Sequence, residues 1–353
     1  MSIQTQHTSR LLFKEVSAHR TPGAIYIHFN RSGITEQHCA GMANVAAGTP
    51  VNTHLTASVF SITKIATAIA ILQLEQAGRL FIHEPISDYL PELMLPGDIT
   101  IHHLLTHTSG LGNPLPLNWT HLPQNHANFD SRRFFCPIIQ KAMRRRHPPG
   151  KQFLYSNLGY ILLGFLIERV TGKRYEEVVE QKVLAGLANT SFTAPHANNI
   201  TGYHRHCSLS SALLSLLIDK NKMMGAHTGI WQPFVPHYLN GAAYGGLFTS
   251  AADLATLGRN ILNGVLLSDT ATNKMFTENR TISGAATGMC LGWFTGRLNG
   301  HTYFHHAGGG GGYYAEFRLY PAAGCGSVLF YNRSGFTDQR ELDRCDQYHL
   351  PSS

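Results

Sequence analysis

The stretch Val59–Gly78, VFSITKIATAIAILQLEQAG, constrains the fold more than any other part of the chain. Ile62, Ile65, Ala66, Ile69, Leu72 and Leu74 recur at helical spacing, no proline interrupts them, and Gly78 stands where a helix would stop. Because the run is apolar on nearly every side, it predicts a central helix wrapped by other elements. Lys64 conflicts with that setting. It sits one turn into the run, where lost hydration and the positive end of the helix dipole both favour the neutral amine. Ser61 lies three residues earlier, on the same face. A neutral amine beside a hydroxyl is a general base beside a latent nucleophile. Ser-x-x-Lys occurs once here, but so short a pattern equally describes a capping serine and a lysine extended to the surface.

Composition narrows the function classes. At 353 residues, 43% hydrophobic and 14% charged, the chain can bury an enzyme-sized core in one large domain or two. The net charge of +7 is scattered; its one dense run, Lys141–Lys151, reads as a solvated helix end before Pro148 and Pro149. Without zinc-finger spacing or an RNA-binding aromatic motif, nucleic acid is not an expected partner. No apolar run reaches transmembrane length and no leader-like block opens the chain, so the expectation is a cytoplasmic protein without membrane contact. Six widely spaced cysteines, Cys39, Cys136, Cys207, Cys290, Cys325 and Cys345, read as free thiols. The histidine clusters at His102–His103, His204–Cys207 and His305–His306 lack carboxylates at ligand spacing, so no metal is expected; Tyr203–Cys207 is the weak candidate.

Along the chain, a first helix at residues 3–17 precedes strands at Ala24–Asn30 and Glu36–Met42. Residues 84–240 read as mostly helical, with helices at Ile101–His107, Arg132–Arg145, Leu158–Thr171 and Tyr175–Ala185. Helices at Ser250–Asn263 and Ser268–Glu278 then lead into strands at Leu291–Leu298, Thr302–His306, Tyr313–Tyr320 and Gly326–Tyr331, and Thr337–Tyr348 closes the chain as a helix. The expected fold is α/β plus all-α. An antiparallel sheet flanked by helices, from residues 1–83 and 241–353, carries residues 84–240 as an inserted helical domain, with the site in the cleft between them. The segment 112–128, GNPLPLNWTHLPQNHAN, shows no pattern that assigns it.

A hydrolase built on Ser61 needs a proton route and donors for a developing oxyanion. Tyr155 and Asn157 precede an apolar helix, where side chains can point into a cleft, although Tyr238-Leu239-Asn240 repeats the pattern. His306-Ala307-Gly308 ends a predicted strand, and Gly308–Gly312 would let backbone approach a ligand closely; His227-Thr228-Gly229 is a second copy outside any convincing strand.

Taken together, SITK at 61–64, YSN at 155–157 and HAG at 306–308 resemble the three motifs of the serine β-lactamase and penicillin-binding-protein superfamily, in its class C β-lactamase-like branch of esterases and D-amino-acid-active peptidases. LLTHTSGL at 104–111, PPGKQFLYSNLGYILLGFLIERVTG at 148–172 and GGLFTSAADLATLGRNILNG at 245–264 extend the likeness over about residues 20–335. The resemblance implies Ser61 as acylated nucleophile, Lys64 with Tyr155 as general base, and Asn157 orienting Lys64 and substrate. It also implies backbone N–H groups of Ser61 and Gly309 as oxyanion donors beside Gly308, and no cofactor. His306 stands where β-lactamases of this group usually carry lysine, and resembles the esterase and peptidase relatives instead. The implied activity is hydrolysis of small carboxylic esters. β-Lactam or D-amino-acid peptide hydrolysis, and acyl transfer, are the alternatives on the same residues, and a binding protein without turnover is the alternative from another class.

Overall fold

A computed structural model describes residues 3–114, 119–143, 146–193, 199–206, 220–334 and 340–350. Seven strands form one sheet: β1 (Gly23–Asn30), β2 (Ile34–Asn44), β3 (Thr49–Pro50), β4 (Phe294–Leu298), β5 (His301–Gly310), β6 (Tyr313–Tyr320) and β7 (Cys325–Tyr331). Their order is β4-β5-β6-β7-β1-β2-β3, with every pairing antiparallel. The strands from the two ends of the chain meet where β1 pairs with β7, in register from Ala24–Tyr331 to Asn30–Cys325.

Alternation of side chains decides what each face of this sheet packs against. Ile25, Ile27 and Phe29 of β1 join the main core with α4 (Ala251–Leu262) and α2 (Thr63–Gln76). Ala24 and Tyr26 point the other way, to Leu12 of α1 (Ile3–Ser17) and Leu342 of α5 (Arg340–Asp346). Helices on both faces explain why the central strands are apolar throughout. Helix α2 is buried from Thr63 to Leu72, as its all-round apolar sequence requires. It packs on α3 (Asn157–Thr171), itself buried from Asn157 to Ile167 and capped by the Ser156 hydroxyl, which accepts from Gly159 N–H.

Several boundaries differ from expectation. Strand β5 runs on to Gly310, so the first three glycines of the run belong to the ladder, with Gly308 opposite Ala315 and Gly309 opposite Tyr314. The backbone pairing to β6 does not depend on side chains, so it holds the strand where composition reads as loop. The helix after Ser268 is shorter, Asp269–Met275. Residues 84–240 contain strand as well as helix: Thr120–His121 pairs with Tyr238–Leu239, and Tyr203–Arg205 with Trp231–Pro233. Pairs of two or three residues are too short to leave an alternation in sequence. Cys207, residues 115–118 of the segment 112–128, and Arg144 and Arg145 of the basic run lie outside the described residues, as does the start of the closing helix. The five described cysteines are free. Among the described residues no helix is long and apolar enough to cross a membrane, and no three metal-ligating side chains converge.

Candidate active site

The turn that presents Ser61 is built against steric preference. A short 3-10 turn, Phe60–Ile62, precedes α2, and Phe60 has φ 44°, a left-handed conformation costing a side-chain-bearing residue about 1–2 kcal/mol. The Thr63 hydroxyl holds the turn closed: it donates to Phe60 O at 2.6 Å and accepts from Leu247 N–H at 3.1 Å. Ser61 therefore caps nothing; the position before α2 is Ile62, without a side-chain cap. The hydroxyl is left for other partners.

Those partners converge from three parts of the chain. Tyr155 donates its phenol to Ser61 Oγ at 2.8 Å, and Lys64 Nζ lies 3.1 Å from the same oxygen. Lys64 Nζ also donates to Asn157 Oδ1 at 2.9 Å and to the Tyr244 carbonyl at 2.7 Å. The amine is fully buried, and this burial pushes its pKa well below the ordinary lysine value. The rings of Tyr155, Tyr160 and Tyr244, 5.0–5.5 Å away, favour a cation by about 0.5–2 kcal/mol each. Desolvating an unpaired ammonium costs more, several kcal/mol even after relaxation, and no carboxylate pairs with Lys64 among the described residues. The neutral form wins. Its two N–H bonds match the two carbonyl oxygens, and its lone pair then faces Ser61 Oγ.

Tyr155 is held as a phenol, because burial raises its pKa while the Ser61 hydrogen bond only partly opposes this. His306 is buried as well. Burial first, then the nearby Lys64, lowers its pKa to about 3, so the ring is neutral. Its Nδ1–H donates to Ala307 O at 2.7 Å, which leaves Nε2 as a bare acceptor with no protein partner. A fixed positive charge is absent at this position.

Strand β5 forms the opposite wall. Its pairing with β4 stops at His305, so the edge beyond it is open towards the Ser61 turn. Gly308 comes so close that a Cβ there would lie 1.9 Å from Val59 O and 3.0 Å from Ser61 N. Only glycine fits.

The beta-lactamase family matches residues 9–347. The chain belongs to this family. It is 30% identical over 165 residues to penicillin-binding protein 4* of Bacillus subtilis, a match covering 44% of this chain and 35% of that protein. Esterase EstB of Burkholderia gladioli is 31% identical over 176 residues, covering 46% of this chain and 45% of the esterase. The chain therefore spans less than half the length of both relatives. Its fold is that of the D-amino acid amidase of Ochrobactrum anthropi SV3, with TM-score 0.79 at 20% identity over 98% of both chains.

The beta-lactamase-family frame also contains residues that the motif reading did not single out. His107 accepts Ser156 N–H at Nδ1 and packs its ring 4.3 Å from that of Tyr155, fixing where the phenol stands. Asn113 Oδ1 accepts from Asn157 N–H at 3.0 Å, tying the unassigned segment to the site. His107 lay in a framework segment, but nothing in spacing marks Asn113. Neither second copy joins Ser61: Asn240 bonds to His121, and His227 is exposed and stacks on His206.

Proposed function

We propose that this chain is a serine hydrolase that forms an acyl-enzyme on Ser61 and acts on small, uncharged carboxylic esters. The observation that carries the reading is the buried Lys64 amine, with two carbonyl acceptors and its third direction towards Ser61 Oγ. As Oγ attacks the ester carbonyl carbon, its proton moves to Lys64 Nζ. Tyr155 gives its phenolic proton to the departing alkoxide and regains one from Lys64. Water, deprotonated along the same route, then cleaves the acyl-enzyme and restores Ser61. The oxyanion is assigned to the backbone N–H groups of Ser61 and Gly309, on the two walls that meet at Gly308. The cleft lies between residues 84–240, which supply Tyr155 and Asn157, and residues 1–83 and 241–353, which supply Ser61, Lys64 and His306.

The preference for an uncharged ester follows from His306. A neutral imidazole offers no positive charge to hold a carboxylate, the group that penicillins, cephalosporins and D-alanyl peptides carry. The likeness to an esterase supports the same reading. Short-chain nitrophenyl esters should be turned over, and Ser61→Ala should abolish it. A chromogenic cephalosporin and a D-Ala-D-Ala peptide should give lower kcat/KM than the ester. Unchanged ester turnover in Ser61→Ala sinks the hydrolase assignment, and a higher kcat/KM for either competitor sinks the ester preference.

A further inference from the structure

Behind the turn that holds Lys64 is a cavity of about 390 Å³, within the ~300–1,000 Å³ typical of ligand pockets. Ala242, Ala243 and Gly246 line it, whereas Ser61, Lys64, Tyr155 and His306 do not. In the same turn the Tyr244 carbonyl accepts from Lys64, and Gly245 packs against Phe60. One helical turn thus separates two sites.

The aromatic wall of the cavity defines the shape it accepts. His121 stacks on Phe129 at 4.2 Å and 14°, His126 on Tyr238 at 3.7 Å and 11°, and the two imidazoles are 10° from parallel. Four rings in a common orientation make an aromatic wall against which another flat ring can pack. Hydrogen bonding defines the polarity. The Asn240 oxygen accepts from His121 Nδ1–H at 2.8 Å, so His121 Nε2 is the acceptor that takes His126 Nδ1–H at 2.9 Å. His126 Nε2 is then left as an acceptor, and burial, which lowers both imidazole pKa values, keeps the chain neutral. Charges on the rim are engaged with one another: Arg132 with Glu92 and Glu168, Arg174 with Glu176, while Asp130 caps a helix through Arg133 N–H.

We propose that this cavity is a second ligand site, for a small uncharged aromatic molecule with an O–H or N–H donor, packed against the ring wall and donating to His126 Nε2. Its occupant rests against the turn that positions Lys64, so binding there biases the Ser61 site from behind. The inference does not depend on the hydrolase reading, because its test reads binding.

Calorimetric titration of the full chain with p-cresol and indole should show one saturable site, at least tenfold tighter for p-cresol than for toluene, which lacks the donor. His126→Phe keeps a ring but removes the acceptor and should weaken p-cresol about tenfold. Ala127→Trp, filling the cavity from its exposed rim, should abolish binding, while Ser61→Ala should bind like the parent. The proposal is overturned if neither probe saturates, if toluene equals p-cresol, or if both cavity variants, shown folded by their melting temperatures, keep full affinity. Loss of p-cresol binding after a fluorophosphonate phosphonylates Ser61 Oγ with release of fluoride, together with parent-like binding in His126→Phe, would place the ligand in the Ser61 cleft and overturn it equally.

Discussion

Replacing Gly308 and Gly309 by alanine, one at a time, separates the proposed geometry from general tolerance of a glycine-rich strand. A Cβ on Gly308 would lie 1.9 Å from Val59 O, whereas real contacts at such an atom hardly fall below 3.0 Å. The strand and the Ser61 turn must therefore part by about 1 Å, a displacement that costs on the order of 10²-fold in turnover when it misplaces reacting groups. Losing the grip of one oxyanion donor adds to the same range, about 10²–10³ in kcat. A Cβ on Gly309 would meet Tyr313 O at 3.6 Å and Tyr314 Cδ2 at 3.7 Å, both ordinary contacts. Gly308→Ala should thus lose about 10²-fold or more in kcat on a nitrophenyl ester, with Gly309→Ala within about threefold of the parent. Steady-state kinetics on both variants, with melting temperatures to confirm folding, provide the comparison. Full activity in Gly308→Ala, or equal losses in both, would refute the claim that this close approach builds the site.

Other consequences are open to direct measurement. Tyr155→Phe removes the phenol that donates to Ser61 Oγ while leaving its ring against His107, so kcat should fall about 10²–10⁴-fold with little change in melting temperature. Comparable turnover in this variant would remove Tyr155 from the proton route. Because Lys64 titrates well below its ordinary value, kcat/KM should rise as pH passes the lowered pKa and be level before the ordinary lysine range is reached. A rise only near the ordinary lysine pKa would show the amine charged in the resting state. For stability the sign is opposite to that of a paired lysine: between the lowered folded value and the unfolded one, the unfolded chain binds more protons, so stability rises with pH. His306 and His28, each lowered to about 3 chiefly by burial, act alike between about pH 3 and 6.5, and the melting temperature should fall as pH drops through that window. On the far face of the sheet, buried Asp346 accepts from Tyr26, Tyr320 and Ser327 at 2.7–3.0 Å. Asp346→Ala should cost about 3–5 kcal/mol in chemical denaturation while ester turnover per folded molecule holds, because it leaves a buried network broken on one side. A loss below 1 kcal/mol would show that network to be dispensable.

Helix α2 was legible because its information is local: an uninterrupted apolar run has one compact solution, and a lysine inside it has one inexpensive protonation state. The sheet was legible for the same reason, since Ile25, Ile27 and Phe29 alternate with residues that face the other helix layer. The ladder through Gly308–Gly310 was not, because glycines leave no side-chain alternation and its hairpin is held by backbone pairing alone; nor were the short strands at Thr120–His121 and Tyr238–Leu239, which pair across a long stretch of chain. The histidines divide along the same line. Sequence alone placed His306 in a motif, but burial and the Ala307 carbonyl decide its charge and which nitrogen stays bare.

The sequence by itself therefore determined a buried helix with Lys64 in its first turn and Ser61 three residues earlier, with Tyr155, Asn157 and His306 as candidate partners. Tertiary structure decided the rest: that the Tyr244 carbonyl and Asn157 occupy both N–H bonds of the amine, that Gly308 closes on Val59, and that Asn113 and His107 brace the site. The physical reason is range. Hydrophobic periodicity is written residue by residue, whereas hydrogen-bond complementarity exists only once segments distant in sequence have been brought to within about 3 Å.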